Sequence, residues 1–303
     1  MDEYQKYLDS KTLAKLKGLD LKARLIVEGY VAGLHKSPYH GFSAEFAEHR
    51  EYVPGDDLRY VDWKVYGKSD RYYLKQFEEE TNFVCYLLLD TSESMSYRSE
   101  SAAVSKLEYA QYVAAALSYL IVQQQDAVGL ATFDTSVTHF VRESSQPSHL
   151  KQLFHTMDQS PGAGETAMGP IFHGLAERIT RRGLVIIISD LFDDLEELLS
   201  GLKHFQYRRH DVSVMHVIDP AEQDFPFEEP TLFKGLEGLP DQIADPRVLR
   251  KAYKLEFEDF LVQVRRGLRD LCMEHVLLRT DTPLDVALSS FLQGRMRWVR
   301  RAS

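Results

Sequence analysis

The stretch Phe83-Val84-Cys85-Tyr86-Leu87-Leu88-Leu89 is apolar at every position and stops on Asp90. A strand with one solvated face alternates polar and apolar residues, so an unbroken run of this kind reads as a strand buried on both faces. A second run, Leu184-Val185-Ile186-Ile187-Ile188, has the same character and stops on Ser189-Asp190. Over 103–125 the pattern turns helical, with Leu107, Ala110, Val113, Ala114, Leu117 and Leu120 recurring at three- and four-residue steps on one face. Buried strands alternating with amphipathic helices predict an α/β fold, a mostly parallel sheet with helices on both faces.

The rest of the chain from residue 81 keeps this Rossmann-like rhythm. Strands are predicted over 127–133, 137–141 (as a hairpin partner), 184–188, 212–218 and 276–279. Helices are predicted over 150–157, from the Gly-rich loop Pro161-Gly162-Ala163-Gly164-Glu165-Thr166 to a glycine C-cap at Gly183, and over 195–205, 246–273 and 284–293. Residues 220–245, rich in proline and acids, read as an irregular excursion with one edge strand over 231–236. The first eighty residues differ in kind: a short helical opening with Leu13, Leu16, Leu19 and Leu25, then a segment rich in Gly, Tyr, His and charge. The expected organisation is an N-terminal accessory layer over 1–80 and an α/β domain over 81–303.

At 303 residues and 44% hydrophobic content the chain can bury a full core. A net charge of -10 and pI near 5.6, with basic residues only in short groups such as Arg181-Arg182 and the terminal Arg295-Met296-Arg297-Trp298-Val299-Arg300-Arg301, argue against nucleic acid as a partner. Cys85 and Cys272 make neither a disulfide framework nor a thiolate site, which fits a reducing cytoplasm. The acidic opening Met1-Asp2-Glu3 has no apolar core region and no run approaches a membrane span, so the expectation is a soluble, cytoplasmic protein.

The chemistry lies at the strand ends, where open α/β sheets bind ligands. Asp90, Ser92 and Ser94 offer only oxygen, a donor set suited to a hard cation such as Mg²⁺, or Mn²⁺ or Ca²⁺, and unlike the soft sites of Zn²⁺. Asp190 comes off the second buried strand, and Thr166 stands in the Gly-rich turn before a helix. In this scheme Ser92, Ser94 and Thr166 bind through neutral oxygens while Asp90 and Asp190 hold the ion's waters or bind directly. So little protein charge leaves a coordination position for a carboxylate from another molecule. The competing expectation is that Asp90 and Ser92 cap one helix and Thr166 the next. Asp193 and Asp194 are expected in a first helical turn, complementing its dipole.

These three loops, in this order, resemble the von Willebrand factor A domain and its metal-ion-dependent adhesion site: Asp90-x-Ser92-x-Ser94 the first loop, Thr166 the second, Asp190 the third. Upstream, Ser37-Pro38-Tyr39-His40-Gly41-Phe42-Ser43-Ala44-Glu45-Phe46 and Arg50-Glu51-Tyr52-Val53-Pro54-Gly55-Asp56-Asp57-Leu58-Arg59-Tyr60-Val61-Asp62-Trp63 resemble the hallmark of the family called domain of unknown function 58. Past Trp63, Tyr66-Gly67-Lys68 stands where relatives carry an Ala-Arg pair. The resemblance implies a bacterial, non-catalytic adaptor working with a MoxR-type AAA+ ATPase in the maturation or remodelling of client proteins. For Glu45, Arg50, Asp56, Asp57, Arg59 and Asp62 among their aromatic neighbours, a buried ion-pair network is favoured over a partner surface.

Catalysis is the rival reading. Ser92 and Ser94 lack a nucleophile elbow and a placed base, Ser92 stands where a phosphotransferase wants a second acid, and the 162–164 loop lacks a phosphate-cradling lysine. His35, His40 and His49 match no zinc spacing. A metal-dependent hydrolase and a metal-independent interaction domain stand as the alternatives.

Overall fold

The structure, a computed structural model, describes residues 19, 21–24, 26–27, 49–51, 73–75, 83–159, 168–235 and 241–302. The chain divides into two compact units, 35–82 and the combination of 1–34 with 83–303. In the smaller unit β1 (His49–Glu51) and β2 (Tyr73–Lys75) pair antiparallel, with Arg50 opposite Leu74. Apart from residues of these strands, the upstream hallmark lies outside the described residues, as does Tyr66-Gly67-Lys68.

The larger unit runs β3 (Val84–Asp90), α1 (Lys106–Gln123), β4 (Ala127–Phe133), β5 (Val137–Ser144), α2 (His149–Asp158), α3 (Met168–Arg178), β6 (Leu184–Ser189), α4 (Leu195–Tyr207), β7 (Asp211–Ile218), α5 (Pro220–Asp224), β8 (Thr231–Phe233), β9 (Gln242–Ala244), α6 (Pro246–Asp270), β10 (Glu274–Arg279) and α7 (Leu284–Ala302). Six of the strands form one sheet in the order β10-β7-β6-β3-β4-β5. All neighbours are parallel except β4 and β5, which form the expected hairpin. Numbered along the chain within this sheet, the order is 3-2-1-4-5-6. That is the doubly wound arrangement, with the connections reversing direction between β3 and β6.

Both central strands are buried on both faces, and their side chains alternate between two cores. Cys85, Leu87 and Leu89 pack with residues of α1, α2 and α7, while Val84, Tyr86 and Leu88 pack with residues of α3, α4 and α6. Leu19, Ala23, Ile26 and Val27 join the first of these cores. Leu19, Ala23 and Ile26 fall at i, i+4 and i+7, an apolar helical face that must find a core. The sequence grouped these residues with the accessory layer; here they belong to the larger unit and its first core.

In the excursion, the expected edge strand shortens to β8 and pairs with β9 in a separate two-stranded sheet, with Leu232 opposite Ile243. Helix α5 was not expected. It is set by a capping box, in which Asp219 accepts from Ala221 N at 2.8 Å while Glu222 Oε2 accepts from Asp219 N at 2.7 Å, and by a proline at the first helical position. Cys272 falls just beyond α6 at φ 54°, not within the helix.

Candidate metal centre

β3 and β6 run side by side in parallel with Leu89 opposite Ile188, so the next residues, Asp90 and Ser189, emerge together at the point where the connections diverge. Asp90 is fully buried. Its Oδ1 accepts from Ser92 N at 2.9 Å, closing a tight turn, and its Oδ2 accepts from Ser189 Oγ at 2.6 Å. Thr91 fastens the turn to β4: its N–H and its hydroxyl both donate to Phe133 O, at 2.7 and 2.9 Å. Ser92 and Ser94, also buried, bring their hydroxyl oxygens within 3.0 Å of each other.

The capping alternative fails for this loop. The short turn at Ser94–Ser96 follows Glu93 with no side-chain cap, and α1 is capped by Ser105. Ser105 Oγ accepts from Glu108 N at 3.1 Å and Glu108 Oε2 accepts from Ser105 N at 2.9 Å. Asp194, by contrast, is itself the N-cap of α4, its Oδ1 accepting from Glu196 N and Glu197 N at 2.9 and 3.0 Å. Asp193 stands one residue earlier, and its Oδ2 accepts from Met168 N at 2.7 Å.

Asp190 has a partner that the sequence did not reveal. Lys106, first residue of α1 and only 2% exposed, donates to Asp190 Oδ2 at 2.7 Å and to Glu222 Oε1 at 2.6 Å. Phe192 N donates to Asp190 Oδ1 at 3.2 Å. One signal was available: an ammonium at a helix N-terminus opposes the macrodipole and is stable there only beside carboxylates.

The electrostatics divide the two acids. Burial acts to raise the Asp190 carboxyl, but the Lys106 ammonium outweighs it and holds Asp190 below its ordinary range. Burial acts to lower Lys106, and Asp190 and Glu222 outweigh that and raise it. Glu222 is raised by burial against the pull of Lys106. Asp90 is raised to about 7, by burial first and by the neighbouring Asp190 charge second. Among the described residues, the hydrogen-bond donors to Asp90 are neutral, so it is a buried acid with no cation at its side.

Thr166 and the Gly-rich loop lie outside the described residues. Met168, which follows that loop, is tied to Asp193 and has its sulfur 4.0 Å from Ser189 Oγ. The donor set fits a hard cation. No cluster of three His, Cys, Asp or Glu suited to a metal occurs among the described residues, so hydroxyls would have to serve as ligands. Adjacent ligands around octahedral Mg²⁺ at its usual bond length stand about 3 Å apart. The Ser92 and Ser94 oxygens have that spacing, which is also an ordinary hydrogen-bond distance.

A doubly wound α/β domain with a buried oxygen cluster at its switch point is thus the class to which this chain belongs. It is a member of the family described as Protein of unknown function DUF58, which matches residues 48–258. Uncharacterized proteins of Mycobacterium tuberculosis and Mycobacterium bovis are each 25% identical to it over 293 residues, 95% of this chain and 91% of theirs. Among solved structures it is similar to the conserved hypothetical protein BatB of Bacteroides thetaiotaomicron, at TM-score 0.45 and 15% identity over 72% of this chain and 99% of that one. It is also similar to the SpRpn10 VWA domain, at TM-score 0.40 and 12% identity over 69% and 94%. The doubly wound architecture stands on the strand order instead. No helix among the described residues is long and apolar enough to cross a membrane.

Proposed function

We propose that the strand-end cluster holds a divalent cation, Mg²⁺ before Mn²⁺ or Ca²⁺, and that the domain docks other proteins without catalysing a reaction. Ser92 and Ser94 are direct ligands, Asp90 and Asp190 bind the ion or hold its waters, and Thr166 contributes from the adjoining loop. When bound, the ion supplies positive charge with room for one further oxygen ligand, which a carboxylate of the partner provides. The observation that supports this reading is the convergence of Asp90, Ser92, Ser94 and Asp190 at the switch point, with Asp90 buried and facing no cation. Membership of the family and the absence of a nucleophile–base pair in the cluster fit an interaction role. The sequence resemblance extends the proposal to a MoxR-type AAA+ ATPase or its client as the partner, in the cytoplasm.

The test is calorimetry with Mg²⁺, together with capture of the purified ATPase with and without EDTA. Wild-type protein is expected to take up the ion and to lose the ATPase on chelation. Asp90→Ala should abolish both while keeping a cooperative unfolding transition, because it removes an oxygen donor and leaves the two cores intact. No uptake of Mg²⁺, Mn²⁺ or Ca²⁺ by the wild type overturns the metal.

One observation favours a second reading. Lys106 already sets a fixed positive charge against Asp190 and Glu222. If that ammonium does the work of an ion, the domain binds its partner without metal, and capture is indifferent to EDTA.

A further inference from the structure

Beside Lys106 and Asp190 a cavity of about 610 Å³ opens between the ends of β6 and β7 and the helix α6. One wall is aromatic. Tyr253, Phe257 and Phe260 recur at i, i+4 and i+7, so α6 presents all three from one face. The rings of Tyr253 and Phe257 lie 5.9 Å apart and 13° from parallel, and Phe260 meets His216 edge-on at 5.9 Å.

Phe192, from the loop after β6, adds a fourth ring to the lining and is 57% exposed. Its position is imposed by Leu191, a buried residue at φ 56°. Asp193 N donates to Leu191 O at 2.9 Å, closing a three-residue turn with Phe192 at its tip. A leucine in left-handed conformation is uncommon, and such strain persists only where the surroundings impose it. Here it buries Leu191 and turns a large ring outward beside the cavity.

The polar lining is anionic. Asp190, Asp193, Glu222 and Glu256 face it with Lys106 as their one cation, and that ammonium is committed to Asp190 and Glu222. Among the described residues neither Asp193 nor Glu256 has an ion-pair partner.

We propose that this cavity receives an arginine side chain presented by a protein partner. Aromatic faces attract a guanidinium through their quadrupoles, and the planar group stacks on rings while its edge reaches carboxylates. A desolvated arginine among aromatic residues is also a frequent anchor of protein interfaces. The volume exceeds that of one side chain, leaving room for the residues that flank it. The inference rests on the protein-docking reading but not on the metal: it assigns a second, oppositely charged anchor next to the strand-end cluster.

The experiment titrates the full chain with acetyl-Gly-Arg-Gly-amide and with its citrulline counterpart, which has nearly the same shape and no charge. Aromatic ¹³C–¹H spectra report the binding. The arginine peptide is expected to perturb the Tyr253, Phe257 and Phe260 rings and to bind at least about tenfold tighter than the citrulline peptide. Glu256→Gln, an exposed change that spares the core, and Phe257→Ala should each weaken it several-fold. EDTA and Asp90→Ala should leave it unchanged, so failure of the metal reading and failure of this one are distinguishable. Equal binding of the two peptides, full affinity in Glu256→Gln, or no perturbation of the α6 rings overturns the proposal. Spermidine binding to the same rings as tightly as the arginine peptide overturns the assignment to a protein partner.

Discussion

At the scale of single residues, the behaviour of the site turns on Lys106. Its ammonium is buried between Asp190 and Glu222, at 2.7 and 2.6 Å, and neither acid has another cation in reach among the described residues. Lys106→Met would leave two carboxylates buried against nothing positive. Breaking a buried pair from one side costs about 3–5 kcal/mol, and urea denaturation should read a loss of that order. The triple variant that adds Asp190→Asn and Glu222→Gln to Lys106→Met should recover much of it, because no unpaired charge remains. Asp90, Ser92, Ser94 and Asp190 were legible in the sequence because a buried strand ending in a polar group announces where that group emerges. Lys106 was not, because it lies 84 residues from Asp190 along the chain and only the doubly wound connection brings the two together.

At the scale of elements, close approach and burial set the tolerances. Helices α3 and α4 cross where Gly201 meets Gly169: a Cβ built on Gly201 would lie 2.8 Å from Gly169 O and 2.9 Å from its Cα. Backbone cannot retreat as a side-chain tip can, so Gly201→Ala should cost about 1–3 kcal/mol, read as a lowered unfolding midpoint. Neighbouring strands β7 and β10 bring His216 Nδ1 and His275 Nε2 to 3.3 Å. Burial holds their imidazoles down to about 3 and about 4, against an ordinary value near 6.5. Below pH 6.5 the unfolded chain therefore takes up protons that the folded chain refuses, so stability present above that pH is lost as the pH falls toward 4. Thermal unfolding from pH 8 to pH 4 should show a shallower decline in His275→Gln than in wild type.

Most elements of the larger unit were legible because their apolar spacing is unambiguous. The start of α1 moved from 103 to the cap at Ser105, while α4 begins at Leu195, where the sequence put it, behind the Asp194 cap. Helix α5 and strand β9 escaped notice because each is short and set by local hydrogen bonds rather than by a periodic apolar face.

At the scale of the whole molecule, the net charge of -10 and the anionic cavity point the same way. The basic partner proposed above would be drawn in by the long-range field as well as by the local contact. Its association rate should fall steeply between about 20 and 300 mM NaCl while dissociation changes little, a dependence that stopped-flow fluorescence resolves.

β3 and β6, whose ends carry the oxygen cluster, are the two middle strands of six. Each has a hydrogen-bonded neighbour on both sides and a packed layer above and below, so hydrogen exchange should find their amide protons among the slowest of the described residues. On the docking reading proposed above, a receptor rooted on these strands would meet its visitor with that part of the site already in shape. On that reading discrimination between visitors falls to the rim, where Phe192 and the exposed side of α6 can be substituted without disturbing the buried strands beneath.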